Sequence, residues 1–279
     1  MGFSFGPVIP TELSGELRDM ATKLYSYGFS LTKTDDIWTL HYPPGDGSGL
    51  SQVSYLAADL PQALLQVLRK EETQRGILFR YEQFDSKWKD IVYGKNPGDT
   101  TIGAAGCGPS SLAIVLQYLM NNGSRPKNAC YGITPKETSK YAETHGRVSG
   151  AGTAGDPMIK GIKEQWPNFD GTKVTLGEAT NLLQEGKLII FLCHGCSGYT
   201  KNRPLHRSAD SSYGGHYMVL AGVEGVSGPN QVFYVVDPGR NENSAMRFIK
   251  RSQLQSNSWG FWWVYEKGEP ETRVSPRLE

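Results

Sequence analysis

The chain has 279 residues, with 29 basic side chains against 28 acidic ones, so nothing electrostatic recruits nucleic acid or an anionic membrane as its main partner. That length allows one large domain or two smaller ones, each able to bury a core. Four cysteines are too few at this size for a disulfide scaffold, so a reduced compartment with one cysteine kept for chemistry is the simpler reading.

The first residues, "MGFSFGPVIPTELSGELRDM", lack a basic region followed by an apolar core, so no secretory signal is expected. No stretch approaches the roughly 18 consecutive apolar residues of a membrane-spanning helix. The expectation is synthesis in the cytoplasm, with any export by a route that needs no cleavable signal. Residues 10 to about 72 read as a small α+β unit. Leu13, Leu17, Met20, Ala21 and Leu24 fall at helical spacing before Gly28. "IWTLHY" is strand-like and stops at "PPGDGSG", and "DLPQALLQVLRKEE" predicts a second helix with Asp59 as cap and Pro61 in its first turn. The polar run "RKEETQRG" marks the boundary, giving an N-terminal α+β domain at 1–75 for recognition, delivery or inhibition. A main domain at 76–268 and a polar tail at 269–279 follow, although "GILFRYEQF" is strand-like enough to pair back across the boundary.

Helices come first in the main domain. "GCGPSSLAIVLQYLM" puts Leu112, Val115, Leu116 and Leu119 on one stripe, with Pro109 in the first turn. "TPKETSKYAETHG" and "TLGEATNLLQEG" both carry capping-box spacing, Thr134 with Glu137 and Thr175 with Glu178. Strand patterns follow in "KLIIFLC", "GGHYMVLAGV", "QVFYVVD", "AMRFIK" and "WGFWWVYE"; in the last, alternation predicts that about half of the aromatics are buried. Helices before strands predict an α+β layout rather than alternating βαβ units.

Cys107 thus opens a core-anchored helix, where free N–H groups and the helix dipole favour a thiolate. Gly106 and Gly108 suggest room for a substrate backbone beside the sulfur, and with it a preference for Gly or Ala next to the cut bond. The bland alternative is a structural cysteine in a tight turn. A nucleophilic thiolate needs a base and a group to orient it. Of five histidines (His41, His145, His194, His206 and His216), His216 follows two glycines on a strand whose neighbour ends at Asp237. A hairpin centred near Val226 or Ser227 sets His216 opposite, or one place off, Asp237 or Pro238, and a slip of one residue would turn the carboxylate away. The Cys107 N–H is a natural oxyanion donor. Gln83 lies 24 residues upstream of it, but spacing does not distinguish Gln83 from other glutamines.

Taken together, "YEQFDSKWKDIVYG", "GCGPSSLAIVLQYL", "GGHYMVLAGV" and "VVDPGR" resemble the double-glycine leader peptidases and their stand-alone relatives. These are papain-like cysteine peptidases of the bacteriocin-processing type, family thirty-nine of the papain clan. The resemblance covers roughly residues 78 to 266 and leaves 1–75 without a parallel. It implies a papain-like α+β fold with Cys107 as nucleophile, His216 as base, Asp237 as its orienter and Gln83 as the oxyanion amide. No cofactor is implied. The partner implied is a peptide or protein substrate, with a peptidoglycan cross-bridge among the options. Unlike transporter-borne members, the chain has no G-x-x-x-x-G-K-[ST] loop and no membrane span. The insert "HGCSGYTKNRPLHRSADSSYGG" abuts His216 and is long enough to shape substrate access.

"CHGC" at Cys193–Cys196 lacks a second ligand pair for zinc and the βαβ setting of a redox motif, so two cysteines at a strand end are expected. Three function classes remain. The first is a peptidase cutting peptide or isopeptide bonds, as a bacterial or phage toxin or effector, a cell-wall endopeptidase or a leader-type enzyme. The second is an acyltransferase sharing its thioester chemistry, and the third a papain-like binding module without catalysis.

Overall fold

The computed structural model describes residues 9–43, 51–74, 81–120, 133–194, 215–239 and 247–268, and its contacts divide into two units, Met1–Glu71 and Glu72–Glu279. The first unit runs α1 (Gly15–Ser26), β1 (Ser30–Thr34), β2 (Ile37–His41), β3 (Gln52–Leu56) and α2 (Leu60–Gln74). Its antiparallel sheet has the order β1-β2-β3. Helix α1 gives way at Gly28, whose φ of 93° only glycine adopts freely. Leu24, Phe29, Leu31, Trp38, Leu40, Leu60 and Leu64 join both helices to the sheet in one core. Strand β1 escapes sequence pattern because a single residue, Leu31, is buried along it. The run "RKEETQRG" is helical through Gln74, with Lys70 and Glu71 buried, so polar composition there does not mean a linker. Most of "PPGDGSG" lies outside the described residues, as does 76–80 of "GILFRYEQF"; residues 81–84 form no strand.

The second unit contains α3 (Ile102–Ala105), α4 (Cys107–Met120), α5 (Pro135–Ala142), α6 (Gly155–Lys160) and α7 (Ile162–Gln165). It continues with β4 (Phe169–Val174), α8 (Leu176–Gln184), β5 (Ile189–His194), β6 (Gly215–Glu224), β7 (Val232–Val236), β8 (Arg247–Lys250), α9 (Arg251–Asn257) and β9 (Ser258–Glu266). The strands form one antiparallel sheet in the order β4-β9-β5-β6-β7-β8. Both predicted capping boxes are present, at Thr134 with Glu137 and at Thr175 with Glu178. Strand β4 has no apolar alternation to announce it: only Phe169 is buried in "FDGTKV".

Both faces of this sheet are covered. Ile190, Tyr217, Val219, Trp262 and Val264 pack with Leu112, Val115 and Leu116 of α4. The alternate residues Phe191, Met218, Leu220, Phe261 and Trp263 pack with Ala179, Leu182 and Leu183 of α8. A sheet buried on both sides needs apolar residues at consecutive positions. Phe261, Trp262 and Trp263 are therefore buried at consecutive positions, where alternation was expected. Helix α4 is enclosed in the same way, with every residue from Gly108 to Gln117 buried rather than one stripe. The outcome is α+β: helices gathered on an antiparallel sheet, the papain-like layout that the resemblance implies.

Candidate active site

Cys107 is the first residue of α4, one glycine after α3 ends. It is half-buried and a free thiol. Burial pushes the thiol's pKa up, but hydrogen bonding and charge from His216, with the backbone N–H groups of Tyr217 and Gly108, outweigh it and hold the pKa below its usual value. The flanking glycines serve packing rather than substrate room. A Cβ on Gly106 would stand 2.5 Å from the Ile102 carbonyl oxygen, and one on Gly108 would stand 3.1 Å from the Thr153 hydroxyl. Space before His216 is filled as well, since a Cβ on Gly215 would meet Leu192 at 2.8 Å. The expected preference for Gly or Ala at the cut bond therefore loses its structural basis.

Strand β6 carries His216, and the turn after β7 carries Asp237. The register differs from the equal-step hairpin. Val219 pairs with Val236 and Leu220 with Val235, and a bulge at Ala221 shifts the ladder before Gly222 meets Tyr234. Continued by one step, this ladder sets Asp237 beside Met218, two positions from His216 and on the same face. The diagonal is spanned: His216 Nε2–H donates to Asp237 Oδ1 at 2.6 Å, with both residues buried. That use of Nε2 leaves Nδ1 for the sulfur. Burial lowers the His216 pKa, but the Asp237 carboxylate and the Cys107 sulfur outweigh it and raise it to about 10. Each group thus favours the charged form of the other.

Asp237 Oδ1 also accepts the Gly239 N–H at 2.6 Å, which draws the turn against the imidazole. A Cβ on Gly239 would stand 2.6 Å from His216 Cε1 and 2.8 Å from Nε2. Gly239→Ala is therefore expected to displace the ring, with turnover falling about 10²-fold or more because small misplacements at a reacting centre have such effects. Near-UV circular dichroism should show the fold retained. Wild-type turnover in this variant would mean that the ring position does not matter.

Gln83 is buried and anchored twice. Its N–H donates to the Pro238 carbonyl at 2.8 Å, and its Nε2 donates to the Gly103 carbonyl at 2.7 Å. Gly103 lies four residues before Cys107, so the amide sits beside the turn that opens α4. Its second Nε2 hydrogen is still available to donate. All four predicted residues, Cys107, His216, Asp237 and Gln83, therefore converge on one place.

Sequence reasoning missed the residues that brace this place. Tyr93 and Thr153 share a hydroxyl hydrogen bond of 2.7 Å, and Tyr217 Oη donates to the Thr153 carbonyl at 2.9 Å. Burial raises both tyrosine pKa values, helped by the neighbouring sulfur's charge, so the hydroxyls stay neutral. Arg147 donates from Nε to the Tyr93 carbonyl and pairs with Asp99 at 3.0 Å. No local pattern links residues this far apart in the chain.

Of the remaining histidines, His194 ends β5 in register with Gly215, and the others stand apart. His41 bonds Thr32 in the first unit, His145 pairs with Glu164, and His206 lies outside the described residues. Cys193 pairs in register with His216 on β6 and is disulfide-bonded, which overturns its reading as a reduced strand-end cysteine. Cys130, Cys196 and the insert between His194 and Gly215 lie outside the described residues. Among the described residues no group of His, Cys, Asp and Glu is placed to hold a metal ion, and no helix is long and apolar enough to cross a membrane. In comparison with known proteins, the model of the Peptidase_C39 like family matches residues 80–262, more than half of the 279. No curated protein matches the chain.

Proposed function

Since the chain belongs to the Peptidase_C39 like family of papain-clan cysteine peptidases, we propose that it hydrolyses peptide or isopeptide bonds with Cys107, His216 and Asp237 as its triad. The observation that carries this reading is the buried 2.6 Å bond from His216 Nε2–H to Asp237, made while the same ring bonds the Cys107 sulfur. Two exposed groups meeting by chance would not share such burial.

In this mechanism the Cys107 thiolate attacks the scissile carbonyl carbon and forms a C–S bond. The oxygen gains the displaced electron pair and is held by the Cys107 N–H and the free Nε2 hydrogen of Gln83. On collapse the C–N bond breaks, and His216 passes its Nδ1 proton to the leaving amine. His216, now neutral, takes a proton from water as the water attacks the thioester. The acid leaves, and the thiolate and imidazolium are restored. Throughout, Asp237 holds the ring and stabilises its charge.

The test is incubation with a peptide library and with purified cell wall, products being read by mass spectrometry. New amine and acid ends in either arm support hydrolysis, and the cell-wall arm reads the cross-bridge option. Products joined to an added amine would favour acyl transfer. Neither product from either arm would sink the reading.

For residues 1–75 we propose a recognition, delivery or inhibitory role. The two cores of the second unit draw on residues from Tyr81 onward, so a chain beginning at Gly76 is expected to fold. Unchanged turnover of a short peptide, with loss on the natural substrate, would mark recognition. Faster turnover of the short peptide would mark inhibition. Failure to fold, read by circular dichroism, would show that the boundary is false.

A further inference from the structure

Trp259 departs from its strand. Phe261, Trp262 and Trp263 are buried, yet Trp259 is 57% exposed. The cause is a bulge: β9 pairs with β5 at Leu192↔Gly260 and then at Cys193↔Ser258, leaving Trp259 unmatched. Bulges beside active sites re-aim a side chain in this way. The indole stacks on the imidazole of His194, with ring centroids 4.8 Å apart and planes 28° apart. It also reaches β6, where a Cβ on Gly215 would stand 3.3 Å from Trp259 Cζ3. Gly215 immediately precedes His216. The stacked pair therefore lies against Gly215, the residue before His216 on β6, on the β5 and β9 side. Asp237, Pro238, Gly239 and Gln83 occupy the opposite, β7 side.

We propose that Trp259 and His194 form an aromatic shelf that receives an apolar side chain of the substrate close to the scissile bond, making Trp259 a determinant of specificity. The proposal rests on the peptidase reading. A chain laid across Cys107 and His216 passes the shelf as it leaves the pair on the β5 side. An indole face offers such a chain a large apolar surface of fixed shape. His194 backs the indole, so the shelf is held in place before the substrate arrives.

The test uses peptides varied one position at a time on both sides of a cut bond, with wild type, Trp259→Ala, Trp259→Phe and Phe84→Ala. Phe84 is the exposed aromatic next to Gln83, on the far side, and serves as the control. At one position wild type is expected to prefer apolar over charged residues. Trp259→Ala should lower kcat/KM for the apolar peptides about 10- to 100-fold, mostly through KM, since loss of a hydrophobic contact weakens binding by that order. Trp259→Phe should restore most of the preference, and Phe84→Ala should leave it at that position. The alkylation rate of Cys107 by iodoacetamide reads the thiolate rather than the substrate and should stay within about twofold in Trp259→Ala. An unchanged preference profile in Trp259→Ala overturns the shelf alone, as does a wild-type preference for acidic residues there. Cys107 that alkylates readily in a wild type that cuts no peptide overturns the peptidase reading and the shelf together.

Discussion

Cys107→Ala is expected to lower peptide turnover by about four orders of magnitude or more, leaving only what binding and the oxyanion donors supply. The substitution removes one sulfur and adds nothing to a crowded turn, where Gly106 and Gly108 are already against Ile102 and Thr153. His216 keeps its bond to Asp237, so no buried charge loses its partner and the fold should persist. The wild-type thiol should also be the fastest to alkylate at neutral pH. Its pKa is depressed by His216, while Cys193 is blocked by its disulfide. Faster labelling at Cys130 or Cys196 would refute the assignment. So would a Cys107→Ala variant that still turns over peptide.

The second large effect concerns His216 and its carboxylate. His216→Ala should match Cys107→Ala within a few fold, because sulfur and imidazole act as a unit. Asp237→Asn should cost one to two orders of magnitude less, as expected for a residue that orients rather than transfers. Its signature is in the pH profile. The competent state is thiolate with imidazolium, so activity rises as the Cys107 thiol ionises and falls as His216 loses its proton, near pH 10. Because the Asp237 carboxylate raises the His216 pKa, removing that charge should bring the alkaline limb down toward neutrality. Stability carries the same sign. A group whose pKa rises on folding stabilises fully below its unfolded value and loses that contribution as pH climbs through the folded one. Wild type should therefore weaken between about pH 6.5 and pH 10, and Asp237→Asn should show a flatter curve in urea melts. An alkaline limb that stays in place in Asp237→Asn would count against the pairing.

Much of this was legible because its signals are local. Cys107 before an apolar helix, the capping boxes at Thr134 and Thr175, and His216 on a strand followed by Asp237 each need only a short window. The equal-step hairpin put Asp237 two positions from its true register, because the bulge at Ala221 has no sequence mark. A shift of two preserves alternation, so Asp237 keeps the face that an exact opposition to His216 would give, whereas the one-place alternatives would have turned it away. Gln83 came from family resemblance alone. Its two anchors, Gly103 and Pro238, are 20 and 155 residues away, and no window holds them together. The glycines were read correctly as positions that exclude a side chain, but for the wrong neighbour. Their space belongs to Ile102, Thr153 and Leu192, all distant or unannounced. Strands β1 and β4 were missed because each buries only one residue.

Strand β9 is the last strand in chain order, yet it lies inside the sheet between β4 and β5. As the polypeptide leaves the ribosome, Cys107 emerges early, whereas the strand that joins β4 to the rest comes some 150 residues later. Until residues 258–266 are out, β5 has no neighbour on that flank and β4 has none at all. Non-local pairing of this kind is slow and completes late. A nascent or prematurely terminated chain therefore exposes its thiol without a finished sheet to hold His216 against it. Synthesis order thus leaves closure of the sheet between β4 and β5 to the last strand made.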